Sequence, residues 1–304
     1  MEYLSKTTDI SQTKHSVVVI GNFDGVHIGH QKLFEVAKLH TPKLQLIALS
    51  FCPHPTQVLN SQPKQIILHR QDKINKINSL GVDLYIEYPF TLDFSKTSAK
   101  EFVEEILINQ LKAKVIVVGA DYKFGKEKCG NIQSLEELAR AKDVQLKVVD
   151  EVLMDGERVS SSLIRQLLVQ GEIEQVNNLL GNNYTISGEV IEGKKIGRQI
   201  GFPTANIMSR EGMVYPPNGV YFTKVKVYNR EYLGITNIGY NPTVGGTHKT
   251  IETNIIDFDE DIYGQHIEVI FYKYSRPEKT FANLDELIRQ ITSDKQDAIT
   301  FNAK

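Results

Sequence analysis

The amino-acid sequence predicts a two-domain protein, in which an α/β domain with a parallel sheet precedes an antiparallel β-barrel that ends in a helix. Its 304 residues are long for one domain and comfortable for two. From residue 17 to about residue 150, strand-like and helix-like patterns alternate, which indicates parallel strands joined by right-handed crossovers. Beyond residue 184 the pattern changes to short strand-like runs separated by Gly, Pro and Asn. We therefore expect domains at 1–183 and 184–304.

Local periodicity predicts each element of the α/β domain. Short apolar runs rich in β-branched residues predict buried strands at 17–20, 44–51, 82–88, 115–118 and 144–149. Apolar residues at helical spacing predict helices at 31–38, 70–80, 99–111 and 135–142. Two further helical segments, 162–168 and 172–180, follow and end at Gly181.

The predicted barrel consists of strand-like runs at 184–191, 219–227, 232–238, 251–256 and 266–274. Helical spacing returns only near the end of the chain, at Leu284, Leu287, Ile288 and Ile291. This order predicts an antiparallel barrel followed by a C-terminal helix. No internal repeat or low-complexity linker separates the halves, so we expect the two domains to meet directly.

Composition narrows the class of protein. The chain is 41% hydrophobic and 24% charged, which is ordinary for a globular protein, and its net charge of -2 gives no footprint for nucleic acid or an anionic membrane. No apolar run reaches the length of a membrane helix, and the first residues lack the apolar core of a secretion signal. Cys52 and Cys129 are too few for a disulfide framework or a structural zinc site. We expect a cytoplasmic protein without nucleic-acid, membrane or obligate protein partners.

A glycine-rich stretch, residues 21–30 (GNFDGVHIGH), joins the first buried strand to the first helix. Such a turn in an α/β sheet exposes backbone N–H groups to an anionic ligand. His27 and His30 are three residues apart and share a face of the opening helical turn, where two imidazoles can hydrogen-bond a phosphate. Two other interpretations stay open: a histidine at a helix start often makes only a local hydrogen bond, and the pair can be half of a metal site.

Three more segments lie at predicted loops of this domain. Residues 119–125 (GADYKFG) follow a buried strand, residues 160–165 (SSSLIR) open a short helix, and residues 53–55 (PHP) form a turn. Arg165 is a cation in the first turns of its helix, where the helix dipole disfavours it, so we expect an anion such as triphosphate nearby. The alternatives are a surface loop, helix capping and a structural turn, respectively.

In the second domain, residues 188–195 (GEVIEGKK) nearly match a phosphate-binding P-loop. The match fails because Lys195 replaces the Ser or Thr that holds magnesium, and because no helical pattern follows. We reject a P-loop here. A loop rich in glycine and cations can still surround phosphates with its N–H groups, and the alternative is a basic hairpin without a ligand.

Longer motifs bring out a resemblance. Residues 21–27 (GNFDGVH), with the HxGH pattern at 27–30, resemble the adenylyltransferase half of bacterial bifunctional riboflavin kinase/FMN adenylyltransferases, also called FAD synthetases. Residues 201–206 (GFPTAN) resemble the signature of their riboflavin kinase module, and residues 237–243, 251–253 and 276–279 continue the match. The resemblance covers nearly the whole chain. It implies a Rossmann-like HxGH nucleotidyltransferase domain followed by a β-barrel riboflavin kinase domain.

The resemblance also implies roles for individual residues. Catalytic roles fall on His27, His30, Arg165 and Glu252, the last as the general base toward the riboflavin 5′-hydroxyl. ATP in the adenylyltransferase site would contact Gly21, Asn22, Phe23, Asp24, Gly119, Asp121, Phe124, Gly125, Ser160, Ser161 and Ser162, and the flavin-side loop would be Pro53, His54 and Pro55. ATP in the kinase site would contact Gly193, Lys194, Lys195, Gly197, Arg198, Thr204 and Asn206, with Thr204 as the Mg²⁺ ligand. The chain departs from the family pattern at Cys52, Asn131 and Asn254.

The expected function is the phosphorylation of riboflavin to FMN and the adenylylation of FMN to FAD, each with ATP and Mg²⁺. Two alternatives remain from the sequence. The chain can be an adenylyltransferase for another phosphorylated metabolite, against which the intact kinase signature argues. It can also be a flavin-binding regulator that has lost catalysis, against which the intact His27, His30, Arg165, Thr204 and Glu252 argue.

Overall fold

The structure is a computed structural model that describes residues 1–41, 43–60, 65–193, 196–240 and 249–302. The chain divides into two units, Met1–Ser161 and Ser162–Lys304. Each unit is built around its own six-stranded sheet.

The first unit contains a parallel sheet. Its strands are β1 (Glu2–Ser5), β2 (Ser16–Ile20), β3 (Gln45–Cys52), β4 (Leu84–Pro89), β5 (Ala113–Gly119) and β6 (Gln145–Val149). They lie in the order β1-β4-β3-β2-β5-β6, and a two-stranded hairpin, β7 (Leu153–Met154) and β8 (Glu157–Arg158), follows them. The predicted parallel α/β sheet is therefore confirmed.

Helices connect these strands. They are α1 (Ile28–Lys38), α2 (Pro55–Asn60), α3 (Arg70–Ser79), α4 (Ala99–Glu101) and α5 (Ile132–Arg140). The helix predicted at 99–111 begins as α4 and continues as a π-helix, Phe102–Gln110. Short 3₁₀ turns lie at Asp24–Val26, Phe94–Lys96 and Lys126–Lys128. Strand β2 is buried at all five positions, as expected for a central parallel strand covered on both faces.

The second unit begins with helix α6 (Ser161–Gln170), which starts at the last residue of the first unit, and continues with α7 (Ile173–Leu180). Its other elements are β9 (Thr185–Glu189), α8 (Ile196–Gln199), β10 (Thr204–Met208), β11 (Gly219–Val227), β12 (Arg230–Tyr240), β13 (Lys249–Ile255), β14 (His266–Arg276) and α9 (Leu284–Asn302).

The second sheet is antiparallel and runs in the order β10-β13-β12-β11-β14-β9. Just beyond β9, the Ile191 N–H donates to the Asn206 carbonyl of β10 over 2.9 Å, so the two edge strands nearly close a barrel. Inside it, the hydroxyls of Thr223, Thr236 and Thr253 form a chain with spacings of 2.9 Å. The predicted barrel and C-terminal helix are confirmed.

The C-terminal helix is joined to the barrel by a buried ion pair. Arg276 donates to both carboxylate oxygens of Asp294 over 2.9 and 2.6 Å, and Gln290 donates to the same carboxylate over 2.9 Å. Asp294 is 3% exposed. Because removal of either partner would leave a buried charge uncompensated, this contact orders α9 against β14.

Helix α7 belongs to the second unit. The Asn177 amide donates to the Phe271 carbonyl over 2.9 Å and accepts from the Tyr184 N–H over 2.7 Å. The sequence-based boundary between residues 183 and 184 would separate this helix from the strand to which it is bonded. That boundary stays a prediction.

A buried carboxylate fixes one edge of the first unit. Glu87 on β4 is 2% exposed and accepts from Tyr3 (2.7 Å), Arg70 (2.7 Å), Lys73 (2.8 Å) and Tyr85 (3.0 Å). Burial opposes ionisation of this carboxyl, but the charge of Lys73 and the hydrogen bonds outweigh it and hold the pKa of Glu87 at about 2. The carboxylate thereby links β1, β4 and α3.

We expect the stabilisation from Glu87 to depend on pH. Its folded-state pKa of about 2 lies below the ordinary 4.5, so the stabilisation is complete above pH 4.5 and is lost as the pH falls toward 2. The shift corresponds to about 3 kcal/mol of unfolding free energy. In urea unfolding, Glu87→Gln should be markedly less stable than the wild type at pH 7, and the gap should shrink at pH 3. The exposed Glu35→Gln is the matched control, and a gap for Glu87→Gln that is equal at both pH values would contradict the expectation.

Candidate active sites

The glycine-rich stretch forms a tight turn after β2. Phe23 (φ 54°), Gly25 (φ 82°) and Val26 (φ 46°) all adopt left-handed backbone conformations. A β-branched residue rarely does so, which marks the turn as strained. A Cβ atom at Gly21 would lie 2.8 Å from the Phe23 ring, so only glycine allows this ring to fold back over the turn.

His27 has a structural contact at the start of α1. Its Nδ1 accepts from the backbone N–H of His30 over 3.3 Å and caps the helix. The neutral His27 tautomer that accepts at Nδ1 carries its proton on Nε2, where it can donate to a ligand. The local hydrogen bond considered from the sequence is therefore present, and it orients the ring.

His30 stacks on His27, with ring centroids 3.7 Å apart and an interplanar angle of 17°. Burial, the neighbouring His27 and the positive charge of Lys73 place the pKa of His30 well below its ordinary value, so the ring is neutral at pH 7. Its Nδ1 is buried and has no hydrogen-bond partner among the described residues. A buried polar atom without a partner is costly, and a bound ligand would satisfy it. A Cβ atom at Gly29 would lie 3.1 Å from His27 Nδ1, which explains the glycine between the histidines.

Asp24 positions the turn. Its carboxylate accepts from the backbone N–H groups of Ile67 (2.9 Å) and Leu68 (3.5 Å), just before α3. Its carbonyl accepts from the Ser161 hydroxyl over 2.9 Å. The structure thus brings Asp24 and Ser161 together, although their positions are 137 apart in the chain.

The PHP turn meets the same stretch. The Asn22 amide lies 3.0 Å from Nε2 of His54, and the Thr56 N–H donates to His54 Nδ1 over 3.2 Å. The Asn22 atom in this contact is the side-chain nitrogen, and the Thr56 hydroxyl lies 2.8 Å from His54 Nδ1. The turn, with Pro53 and Pro55 on either side of His54, is therefore anchored beside the glycine-rich stretch.

The segment after β5 is held by an ion pair and by close packing. Asp121 pairs with Arg158, which also pairs with Glu151 over 2.8 Å. Sequence reasoning missed Arg158, since nothing in its local pattern distinguishes it from a surface arginine. A Cβ atom at Gly119 would lie 3.2 Å from Asp121, and one at Gly125 would lie 2.8 Å from the Ala99 nitrogen.

Phe124 lies in the hydrophobic core of the first unit, near Phe102 and stacked on Tyr122. Its backbone N–H and carbonyl are both bonded to Gly130, over 3.1 and 2.9 Å. This residue therefore closes the base of the loop. Asn131, one of the departures from the family pattern, caps α5 through a capping box with Ser134.

The remaining residues that were predicted for the adenylyltransferase site belong to different units. Ser160 and Ser161 end the first unit, whereas Ser162 and Arg165 lie on α6 within the second.

The second site lies on one face of the barrel sheet. Asn206 on β10 and Asn237 on β12 both pair with Glu252 on β13, and directly paired residues of antiparallel strands share a face. Thr204 pairs with Asn254 on the same two strands as Asn206 and Glu252. The register thus places the signature at 204–206 beside the predicted general base.

A cavity of about 360 Å³ adjoins this face. Polar side chains line it together with an apolar wall, which the segment before β10 and helix α9 contribute. Its lining includes Gly197, Ile200, Phe202, Thr204, Asn237, Glu252, Asn254, Glu278, Phe281, Leu287 and Ile291. An apolar cavity with a few convergent polar groups is the usual form of a small-molecule site.

Close contacts restrict two glycines, Gly193 and Gly197, in the segment between β9 and β10. A Cβ atom at Gly193 would lie 2.5 Å from the Asn206 amide, and one at Gly197 would overlap the Phe202 carbonyl. Asn254 donates to the Pro203 carbonyl over 2.8 Å, so this departure from the family pattern ties the signature to β13. Arg198 is exposed on α8, and Lys194 and Lys195 lie outside the described residues.

The structure adds a second carboxylate to the cavity. Glu278 accepts from Asn218 over 3.1 Å and from Asn237 over 3.5 Å. It lies within the matched segment 276–279, but the segment alone assigned it no role. Glu278 contacts Asn237, and Asn237 is directly paired with Glu252 on the neighbouring strand, so Glu278 lies on the same side of the cavity as the predicted general base.

Two family models match the chain: FAD synthetase over residues 9–163 and riboflavin kinase over residues 180–302. The bifunctional riboflavin kinase/FMN adenylyltransferase of Listeria monocytogenes is 39% identical, over 98% of this chain and 96% of the relative. The protein of that name from Bacillus subtilis is 38% identical, over 94% and 92%. The chain belongs to the bifunctional riboflavin kinase/FMN adenylyltransferase family.

A solved structure agrees with this family member over nearly its whole length. The crystal structure described as a macrolide-efflux protein from Streptococcus pneumoniae has a TM-score of 0.88 and 32% identity, and covers 97% of this chain and 98% of that one. Among the residues described here, no helix is long and apolar enough to cross a membrane. Both halves of the chain therefore match the family. This disfavours the alternative of an adenylyltransferase that has no kinase domain.

We expect His30 to take up a proton only well below the ordinary histidine pKa of 6.5. Because the folded state resists protonation, the unfolded state binds more protons below pH 6.5, and this histidine lowers stability as the pH falls from there. NMR titration of the imidazole nitrogens measures this directly, with the His30→Asn variant assigning the resonance. Titration of that resonance near 6.5 in the folded protein would contradict the buried, neutral state.

Proposed function

We propose that this chain phosphorylates riboflavin to FMN in its second unit and adenylylates FMN to FAD in its first, with ATP as the donor in both steps. The observation that carries this proposal is that each unit brings motif residues from separate segments into one site. In the first unit, these are the stacked histidines, Asp24 and Ser161. In the second, they are Thr204, Asn206 and Glu252.

In the kinase step, the 5′-hydroxyl of riboflavin attacks the γ-phosphorus of ATP. An O–P bond forms, the bond to the bridging oxygen breaks, ADP leaves, and the hydroxyl proton passes to a base. Glu252 is the proposed base, because its carboxylate lines the cavity beside Thr204. The apolar wall from Ile200, Phe202 and Leu287 would hold the flavin ring and exclude water.

The donors around Thr204 fit Mg²⁺. They are oxygen atoms from the Thr204 hydroxyl, the Asn206 amide and the Glu252 carboxylate, on neighbouring strands. Among the described residues, no group of three or more His, Cys, Asp or Glu side chains could hold a metal ion without substrate oxygens. Mg²⁺ keeps several waters and is commonly held by one or two protein oxygens together with substrate phosphates. Thr204 is the proposed ligand, and the bound ion would neutralise phosphate charge. Gly193, Gly197 and Arg198 would contact the ATP phosphates, as the resemblance implies.

In the adenylyl transfer, a phosphate oxygen of FMN attacks the α-phosphorus of ATP and pyrophosphate leaves. The nucleophile is already ionised, so no base is needed, and catalysis consists of alignment and charge stabilisation. His27 would donate from Nε2 to the α-phosphate, and the buried Nδ1 of His30 would be satisfied by the same substrates. The proposed triphosphate cation is Arg165.

Further residues of the first unit are proposed to contact the substrates. Backbone contacts from the turn at 21–24 and the loop at 119–125 would hold ATP, with Phe124 acting through loop closure since its ring is buried. The Asn22–His54 contact supports a flavin-side role for the PHP turn. A cytoplasmic location, the lack of macromolecular partners and the boundary at 183/184 remain predictions from the sequence.

Glu252→Gln tests the kinase assignment. The amide keeps shape and hydrogen bonding but cannot accept the proton, and general-base catalysis contributes roughly a hundred- to ten-thousand-fold. We expect FMN formation to fall by at least about a hundredfold, with riboflavin binding within a few-fold and conversion of supplied FMN to FAD unchanged. Chromatography of the flavins measures both half-reactions on one preparation.

The matched control is Glu268→Gln, which removes a half-buried carboxylate from barrel strand β14. It should retain both activities. Kinase turnover near that of the wild type in Glu252→Gln would show that Glu252 is structural.

A further inference from the structure

The Glu87 cluster lies at the same edge of the sheet as the stacked histidines. β4, β3 and β2 are neighbours, and their carboxyl ends carry Glu87, the PHP turn and the glycine-rich turn, respectively. In parallel sheets this edge is where ligands bind. The proposed mechanism uses the second and third of these features and leaves the first without a role.

The cluster has an excess of positive charge. Arg70 and Lys73 both pair with Glu87, so two cations share one carboxylate and the net charge is +1. On the other side of the histidine turn, Arg158 pairs with both Asp121 and Glu151, and the net charge is -1. Of these two ion-pair clusters, the one on the α3 side therefore has the net charge that suits an anion.

Arg70 retains hydrogen-bonding capacity. Its Nε is bonded to Glu87, while its Nη2 is buried and has no hydrogen-bond partner among the described residues. Its guanidinium also lies 5.5 Å from the centroid of the Tyr3 ring, which restrains its orientation. A fixed guanidinium with an unsatisfied N–H group suits a phosphate, whose oxygens match its geometry.

The cluster is mechanically coupled to the histidine turn. The Asp24 carboxylate holds the N–H groups of Ile67 and Leu68, which lead into α3 through His69. Arg70 and Lys73 lie in the first turn of that helix, and the charge of Lys73 acts on His30. The buried Nδ1 of His30 is a second unsatisfied group in the same region.

We propose that Arg70 and Lys73 form the subsite for the phosphate of the acceptor, FMN, in adenylyl transfer, and that Glu87 is the positioning residue that orients both cations. The inference rests on the proposed function of the first unit. Placing the acceptor phosphate here would bring a nucleophilic oxygen near the histidines from the side opposite Arg158. No proton transfer is involved: a phosphate oxygen of FMN forms the new bond to the α-phosphorus, and the bond to pyrophosphate breaks.

Arg70→Met tests the subsite. Loss of one charged hydrogen-bond donor should raise the KM for FMN about tenfold. The KM for ATP and the rate of riboflavin phosphorylation should stay within about twofold of the wild-type values, because neither substrate uses this subsite. Arg140→Met is the matched control, since Arg140 also pairs with a glutamate but lies exposed on α5. It should change none of these parameters.

A merely structural role for Arg70 would lower stability without this split between FMN and ATP. Arg70→Lys keeps the charge but loses the planar guanidinium, so its KM for FMN should lie between the values of the wild type and of Arg70→Met, with thermal unfolding recorded for all variants. Unchanged KM for FMN in a folded Arg70→Met, or equal loss toward FMN and ATP, would overturn the proposal. Absence of FAD formation by the wild type would instead contradict the proposed function itself.

Discussion

Both candidate sites depend on the balancing of negative charge. ATP and FMN carry negatively charged phosphates, and carboxylates of the protein lie close to where these substrates would bind. A carboxylate repels such ligands unless cations or N–H groups balance it. Asp24 accepts two backbone N–H groups, Glu87 pairs with two cations, and Asp294 pairs with Arg276. The same contacts hold the loops and helices in place, so charge balance and positioning are achieved by the same residues.

Two different geometries bring distant motifs together. In the first unit, adjacent parallel strands end at one edge of the sheet, so the segments that follow β2 and β3 meet as the Asn22–His54 contact. In the second unit, the register of the antiparallel strands brings the motifs together, because Glu252 is directly paired with both Asn206 and Asn237. Alternation along the strands then sends Thr236 and Thr253 into the barrel, while Asn237 and Glu252 lie on the face that lines the cavity.

Elements with strong periodicity were predictable, and elements stabilised by distant contacts were not. The central strands are apolar because they are buried on both faces, so their sequence alone identifies them. Strand β1 has only four residues and lies at the sheet edge. Its Tyr3 is held by a hydrogen bond to Glu87, 84 positions away, which no local sequence pattern indicates. The π-helical part of the helix at 99–111 has no distinct sequence pattern. Likewise, motifs placed His27 and Glu252 in candidate sites, whereas Arg158, Glu278 and the Arg70–Glu87 pair depend on partners far along the chain.

The central claim is that one chain contains two chemically independent sites, and His30→Ala tests it most directly. Riboflavin, ATP and Mg²⁺ are supplied to the purified variant and the wild type, and riboflavin, FMN and FAD are separated over time. Preorganised hydrogen-bond donors at a transition state contribute about a hundred- to a thousandfold in rate. We expect the wild type to form FMN and then FAD, and the variant to accumulate FMN at the wild-type rate while FAD formation falls by such a factor. Loss of both products in a folded variant, or undiminished FAD formation, would contradict the claim.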